Sequence, residues 1–175
     1  MWLWICQERD AMKIVTKVGN LMDVTKGHIV HGCNAQGVMG SGVALAVKRK
    51  YPGAFADYVA IHEEEGLELG VPYPYCPTTD LCIWNAVTQE GFGQPTRNCS
   101  YDAIQTCFED INNAVSESDE IGIVKEIHIP FIGAGLGGGS WNIIKAIIED
   151  TVQHPVTVWS IDGKMPDGSL IDVTE

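Results

Sequence analysis

With 175 residues, 45% of them hydrophobic and 19% charged, the chain suits one domain with a full core and is too apolar to be a disordered segment. Its net charge of −12 argues against an extended nucleic-acid backbone as the main partner. It leaves room for a small anion, because backbone amides can supply local positive potential inside an acidic protein. No apolar run reaches membrane-spanning length, and no membrane partner is expected.

The opening stretch MWLWICQERD has an apolar patch but neither a basic start nor a small-residue cleavage site, so it makes a poor signal peptide. Residues 1–11 read as an N-terminal extension, with Met12 as a possible older start. Lys13 to Val18 alternates and is β-branched, which predicts the first strand, closed by Gly19-Asn20-Leu21. His28 to Cys33 predicts a second strand. A glycine loop follows over residues 34–42, and Val43 to Tyr51 has helical spacing. The basic triplet Lys48, Arg49, Lys50 suits the last turn of that helix, and Pro52 stops it. Ala54 to Glu65 predicts another helix.

Pro72 and Pro74 limit Val71 to Cys76 to an edge strand. The continuous apolar run Leu81 to Val87 reads as a central strand, and residues 88–99 as a polar loop. Ser100 can cap a helix with Ile104, Phe108, Ile111 and Val115 on one face; residues 116–120 read as a turn. Ile127 to Trp141 begins as a buried strand and becomes a loop with five glycines among the seven residues 133–139. The helix pattern Asn142 to Gln153, the last strand Val156 to Ile161 and a tail over 164–175 complete the chain. Alternating strands and helices predict a layered α/β fold in a single domain over residues 12–163.

Both glycine loops begin at strand ends, and ligands of such sheets bind beyond the carboxyl ends of the strands. Loops without Cβ atoms let a ligand approach the backbone, and helix N-termini next to them favour phosphate. A mobile linker is the plainer reading of the late loop, but a linker need not stand between a buried strand and an amphipathic helix. Gly133, Gly135 and Gly138 fit G-x-G-x-x-G, yet without the early βαβ position of a dinucleotide fingerprint. Six cysteines, at 6, 33, 76, 82, 99 and 107, include no CxxC pair and no zinc spacing. They suggest a reducing, cytoplasmic compartment; no metal and no cofactor is expected.

With both loops in view the chain resembles a macro domain, the ADP-ribose-binding module, over roughly Met12 to Ile161. The motifs are Gly19-Asn20-Leu21, Asn34 with Gly40-Ser41-Gly42-Val43, and Gly133-Ala134-Gly135-Leu136-Gly137 before Trp141. The resemblance implies a three-layer α/β/α sandwich with a mixed central sheet, acting on ADP-ribose or ADP-ribose-1″-phosphate; a monomer is expected. It places Asn20 and Leu21 at the adenine, where the family usually has Asp for the first. Asn34 falls at the distal ribose, residues 40–43 at the distal ribose and diphosphate, and Ile132 with residues 133–137 at the diphosphate. Trp159 or Ile161 flanks the adenine, though Trp159 could equally be plain core packing.

The resemblance is nearest to the branch holding ADP-ribose-1″-phosphate phosphatases and terminal ADP-ribose glycohydrolases. Glycohydrolases there use a lysine and an aspartate, at whose positions this chain has Gln89 and Gly137. In the phosphatases a histidine precedes a small-Cys-Asn sequence, which His31-Gly32-Cys33-Asn34 matches. His31 and Asn34 are therefore the expected catalytic pair, with His31 as base or nucleophile and Asp23, His28 or Asp162 as candidate partners. A strand-end histidine bonded to a neighbour is the structural alternative. The expected activity is phosphate removal from ADP-ribose-1″-phosphate. The alternatives are a non-catalytic ADP-ribose reader and a hydrolase removing ADP-ribose from protein or nucleic acid.

Overall fold

A computed structural model describes residues 14–118 and 122–173. The expected extension over 1–11, Lys13 of the first strand, part of the 116–120 turn and the last two residues of the tail lie outside them. The strands are β1 (Ile14–Val18), β2 (Gly27–Asn34), β3 (Pro72–Tyr75), β4 (Leu81–Gln89), β5 (Ile127–Ile129) and β6 (Val156–Ser160). The helices are α1 (Gly42–Lys50), α2 (Pro52–Glu64), α3 (Tyr101–Glu117) and α4 (Trp141–Thr151).

The sheet order is β1-β6-β5-β2-β4-β3. Every neighbouring pair is parallel except β3 with β4. Pro72 and Pro74 put β3 at the edge, where missing N–H donors cost least. β4 stands second from that edge, yet it is buried from Leu81 to Thr88 because both of its faces are covered. Alternation along β4 sends Cys82, Trp84 and Ala86 into the core beneath α3 and α4. Leu81, Ile83 and Val87 go to the opposite face, under α1 and α2. The result is the expected α/β/α sandwich with a mixed sheet.

Ser100 does cap α3: its side chain accepts from the Ala103 N–H at 3.1 Å. Ser100→Ala is expected to cost about 1 kcal/mol, read as a lower urea midpoint with an unchanged slope. Helix α3 runs to Glu117, past the predicted turn at 116, since Val115 remains on its buried face. β5 is only three residues long because Pro130 ends its ladder.

Topology also makes the crevice. β2 and β5 are neighbours, but β2 leads to α1 on one face of the sheet and β5 leads to α4 on the other. Loops leaving in opposite directions open a gap at the carboxyl ends of these two strands.

Candidate functional site

A cavity of about 700 Å³ fills that gap. One wall is the β2–α1 loop, with Val38, Gly40, Ser41 and the first residues of α1, Gly42, Val43 and Ala44. The other is the β5–α4 loop, with Pro130, Phe131, Ile132, Gly133, Gly135, Leu136 and Gly137. Gly32, Cys33 and Asn34 at the end of β2 and Thr88 and Gln89 at the end of β4 form the floor, while Phe92, Gly93, Gln94 and Asn98 reach in from the loop after β4.

The β5–α4 loop is a fixed object and not a linker. Gly139 N–H donates to Gly133 O at 2.8 Å, and Gly138 N–H donates to Gly135 O at 3.1 Å. Gly137 O accepts from the N–H groups of Asn98 and Cys99 at 2.8 and 3.0 Å. Gly133 needs its positive φ of 73° for this turn, and a Cβ on Gly137 would stand 2.7 Å from Gly133 O. Within the described residues, the N–H groups of Gly135, Leu136 and Gly137 make no hydrogen bond. Three successive unpaired amides make an anion-binding concavity.

The opposite wall repeats the theme. Ser41 stands at the N-cap of α1, but its side chain makes no capping bond. The first N–H groups of α1 therefore keep their capacity for a ligand, at the positive end of the helix dipole. No Lys, Arg, His, Asp or Glu is among the described lining residues, and the one titratable group is the Cys33 thiol. Burial pushes that thiol well up, so it stays protonated and is a poor nucleophile. Charge in this cavity is handled by backbone amides, hydroxyls and carboxamides.

Asn34 lines the cavity, but much of its amide is used internally. Its Oδ1 accepts from Gln36 N–H at 2.9 Å and from Tyr58 O–H at 2.9 Å, and its Nδ2 donates to Val38 O at 2.7 Å. It shapes the first glycine loop and has one amide hydrogen left for a ligand. Gln89 is anchored through Nε2 to Gly91 O at 2.6 Å. Its Oε1 takes no hydrogen bond within the described residues and is an acceptor in the cavity wall.

His31 is not in the cavity. It lies on the α1/α2 face of β2 with Ile29 and Cys33, is 0% exposed, and pairs laterally with Asn85 of β4. Its Nε2 is 2.6 Å from Asn85 Oδ1, and Asn85 Nδ2 donates to Ala54 O of α2. Because that oxygen can only accept, Nε2 carries the proton. Burial lowers the His31 pKa to about 4, against the smaller opposing effect of the Asn85 bond. Its other polar neighbour is the Cys33 sulfur; Asp23, His28 and Asp162 are not among its partners. The expected base or nucleophile is thus corrected to a neutral, sheet-to-helix tie. The physical reason is depth: three residues before the strand's end, His31 is closed over by Asn85 and α2, whereas Cys33 on the same face reaches the cavity floor.

Of the other expected site residues, Asn34, Gly40, Ser41, Gly42, Val43, Ile132, Gly133, Gly135, Leu136 and Gly137 come together in the cavity. Ala134 turns away and packs against the α3/α4 core. Asn20, Leu21, Trp159 and Ile161 do not line it either. They sit at the carboxyl ends of β1 and β6, two and one strands beyond β5, at the same end of the sheet. Asn20 Oδ1 is taken by the Met22 N–H at 3.0 Å, Leu21 is buried, and Ile161 is 74% exposed. Sequence reasoning missed Thr88, Phe92 and Asn98 as lining residues. The available signal was the end of the β4 pattern, since a parallel strand delivers its last residues to the same crevice.

The chain belongs to the Macro domain family, whose model matches residues 30–148. It is 34% identical over 140 residues to an uncharacterized 17.5 kDa protein of Enterobacteria phage T4, covering 77% of this chain and 85% of that protein. It is 30% identical over 146 residues, 81% of its length, to a DNA ADP-ribosyl glycohydrolase of Thermus aquaticus, of which it spans only 39%. It is 26% identical over 145 residues, 70% of its length, to an ADP-ribose 1″-phosphate phosphatase of Saccharomyces cerevisiae, spanning 82% of that protein. Among solved structures, the macrodomain of Thermus aquaticus DarG superposes with a TM-score of 0.68 at 27% identity, over 85% of this chain and 97% of that one.

Proposed function

We propose that the cleft binds ADP-ribose and that the chain is a hydrolase releasing phosphate from ADP-ribose-1″-phosphate. The observation that carries the reading is the pairing, among the described residues, of two sets of unpaired backbone N–H groups across one cavity whose described lining holds no charged side chain. Such a site suits a diphosphate joined to a neutral sugar. The diphosphate lies on residues 135–137, the distal ribose toward Asn34 and Ser41, and the adenine toward Asn20, Trp159 and Ile161. Strand order supports that direction, since β6 and β1 follow β5 on the side away from β2.

The absence of a general acid among the described lining residues favours a substrate that manages its own protons. In a phosphate monoester, water forms the new P–O bond and the bond from phosphorus to the 1″-oxygen breaks. A proton from water passes to the departing oxygen, giving ADP-ribose and inorganic phosphate. Gln89 Oε1 orients the water, and the free amides hold the phosphoryl oxygens. Position 137 offers no carboxylate, and a Cβ there would stand 2.7 Å from Gly133 O, so the loop would have to shift to take one. Similarity to a named DNA ADP-ribosyl glycohydrolase keeps a second reading, removal of ADP-ribose from DNA.

Two assays with the full chain and no added metal separate them. Phosphate release from ADP-ribose-1″-phosphate, lowered at least about 10-fold by Gln89→Ala with ADP-ribose affinity retained, is the expected result. Release of ADP-ribose from an ADP-ribosylated oligonucleotide, with no phosphate release from the monoester, would replace the phosphatase by the second reading.

A further inference from the structure

We propose that His128 is a positioning residue for the adenine end of the ligand: it holds the Trp159 indole as the wall against which the adenine packs. This inference rests on the ADP-ribose reading of the cleft. His128 and Trp159 lie on adjacent parallel strands and share the α1/α2 face. The Trp159 indole N–H donates to His128 Nδ1 at 3.1 Å. That fixes the imidazole with Nδ1 unprotonated, its Nε2 3.7 Å from a Glu126 carboxylate oxygen. From the other side the indole is held against the backbone of β1. A Cβ on Gly19 would come within 2.9 Å of the ring, so the ring lies directly over Gly19. Gly19 N–H is in turn bonded to Ser160 O at 2.9 Å, and the next residue is Asn20. The ring thus roofs the turn where the adenine is placed, with Leu21 and Met22 in the same apolar cluster.

The strand carrying His128 also leads into the diphosphate loop. One element therefore sets the position of both ends of the ADP moiety. Without the acceptor, the indole N–H would lose its partner, and the ring would be free to leave Gly19.

The molecule contains its own control. Trp84 donates through its indole N–H to His28 Nδ1, also at 3.1 Å. That pair lies beneath α3 and α4, on the opposite face of the sheet from Trp159, Leu21 and Met22. Loss of a Trp–His bond as such affects both pairs alike, whereas loss of a wall for adenine affects only one.

The test is calorimetric titration of ADP-ribose into the full chain and its variants, with tryptophan fluorescence recorded alongside. His128→Leu is expected to weaken binding about 10-fold, or about 1.4 kcal/mol. His128→Asn, whose Oδ1 can accept where Nδ1 did, should recover affinity to within about 3-fold of wild type, and His28→Leu should leave it unchanged. Ligand-induced change in indole emission should vanish in Trp159→Leu and persist in Trp84→Phe. Unchanged affinity in folded His128→Leu, failure of Asn to restore it, or an equal loss in His28→Leu would each overturn the positioning role while leaving the cleft reading intact. No binding of ADP-ribose by wild type would overturn the cleft reading, and this inference with it.

Discussion

Gly135→Glu is expected to abolish ADP-ribose binding, with a loss of at least about 100-fold, while the protein stays folded. Gly135 lines the cavity and is exposed, and no heavy atom lies within 4 Å of where its Cβ would stand. Its φ is not in the left-handed region, so a side chain enters without strain. The introduced carboxylate then occupies the concavity made by the free amides of residues 135–137 and faces a diphosphate of its own sign. Gly137 offers the contrast. A Cβ there collides with Gly133 O, so Gly137→Ala disturbs the loop itself and lowers stability as well as binding. Calorimetry on thermally intact Gly135→Glu reads the effect; affinity equal to wild type removes the diphosphate from this loop.

His31→Ala is expected to lose about 3 kcal/mol of stability and, under the proposed activity, to leave turnover per folded molecule unchanged. The imidazole fills a fully buried site, and its removal strands Asn85 Oδ1 without its donor. The same burial makes stability depend on pH. His31 and His28 both have folded pKa values lowered to about 4 from 6.5, in each case chiefly by burial. Above pH 6.5 both rings are neutral in either state and contribute no slope. Below it the unfolded chain takes up protons that the folded chain refuses, so stability falls as pH drops from 6.5 toward 4. At pH 5 each ring costs about 2 kcal/mol relative to pH 7.5. Urea denaturation at the two values should show that loss in wild type, and about 2 kcal/mol less of it in His31→Ala. A phosphatase that loses turnover in folded His31→Ala at pH 7.5, with ADP-ribose affinity intact, would return His31 to the chemistry.

The architecture was legible because its signals are local: β-branched runs, Ser100 before an amphipathic stretch, prolines on the edge strand. The glycine loops were legible because few other roles explain glycine between a buried strand and a helix. What could not be read was depth and neighbourhood. His31-Gly32-Cys33-Asn34 has the motif order that suggests a catalyst, but only the register of β2 against β4 brings His31 beside Asn85, which ties it to α2 below the cavity. Gly32, Cys33 and Asn34 line the cavity, while His31 meets Asn85, 54 residues away in the chain. The floor contributed by Thr88 and Gln89 was hidden for a similar reason. The β4 pattern runs on into polar residues that look like the start of a loop. The adenine end remains dispersed over β1 and β6, whose proximity is a fact of strand order and not of spacing in sequence.

The most direct test of the account is a titration of ADP-ribose into isotope-labelled full chain, followed through backbone amide resonances. Saturable shifts concentrated at residues 41–44 and 133–137, with a smaller set at 19–21 and 159–161, are predicted. Saturable binding whose shifts fall elsewhere, or no binding at all, would contradict it.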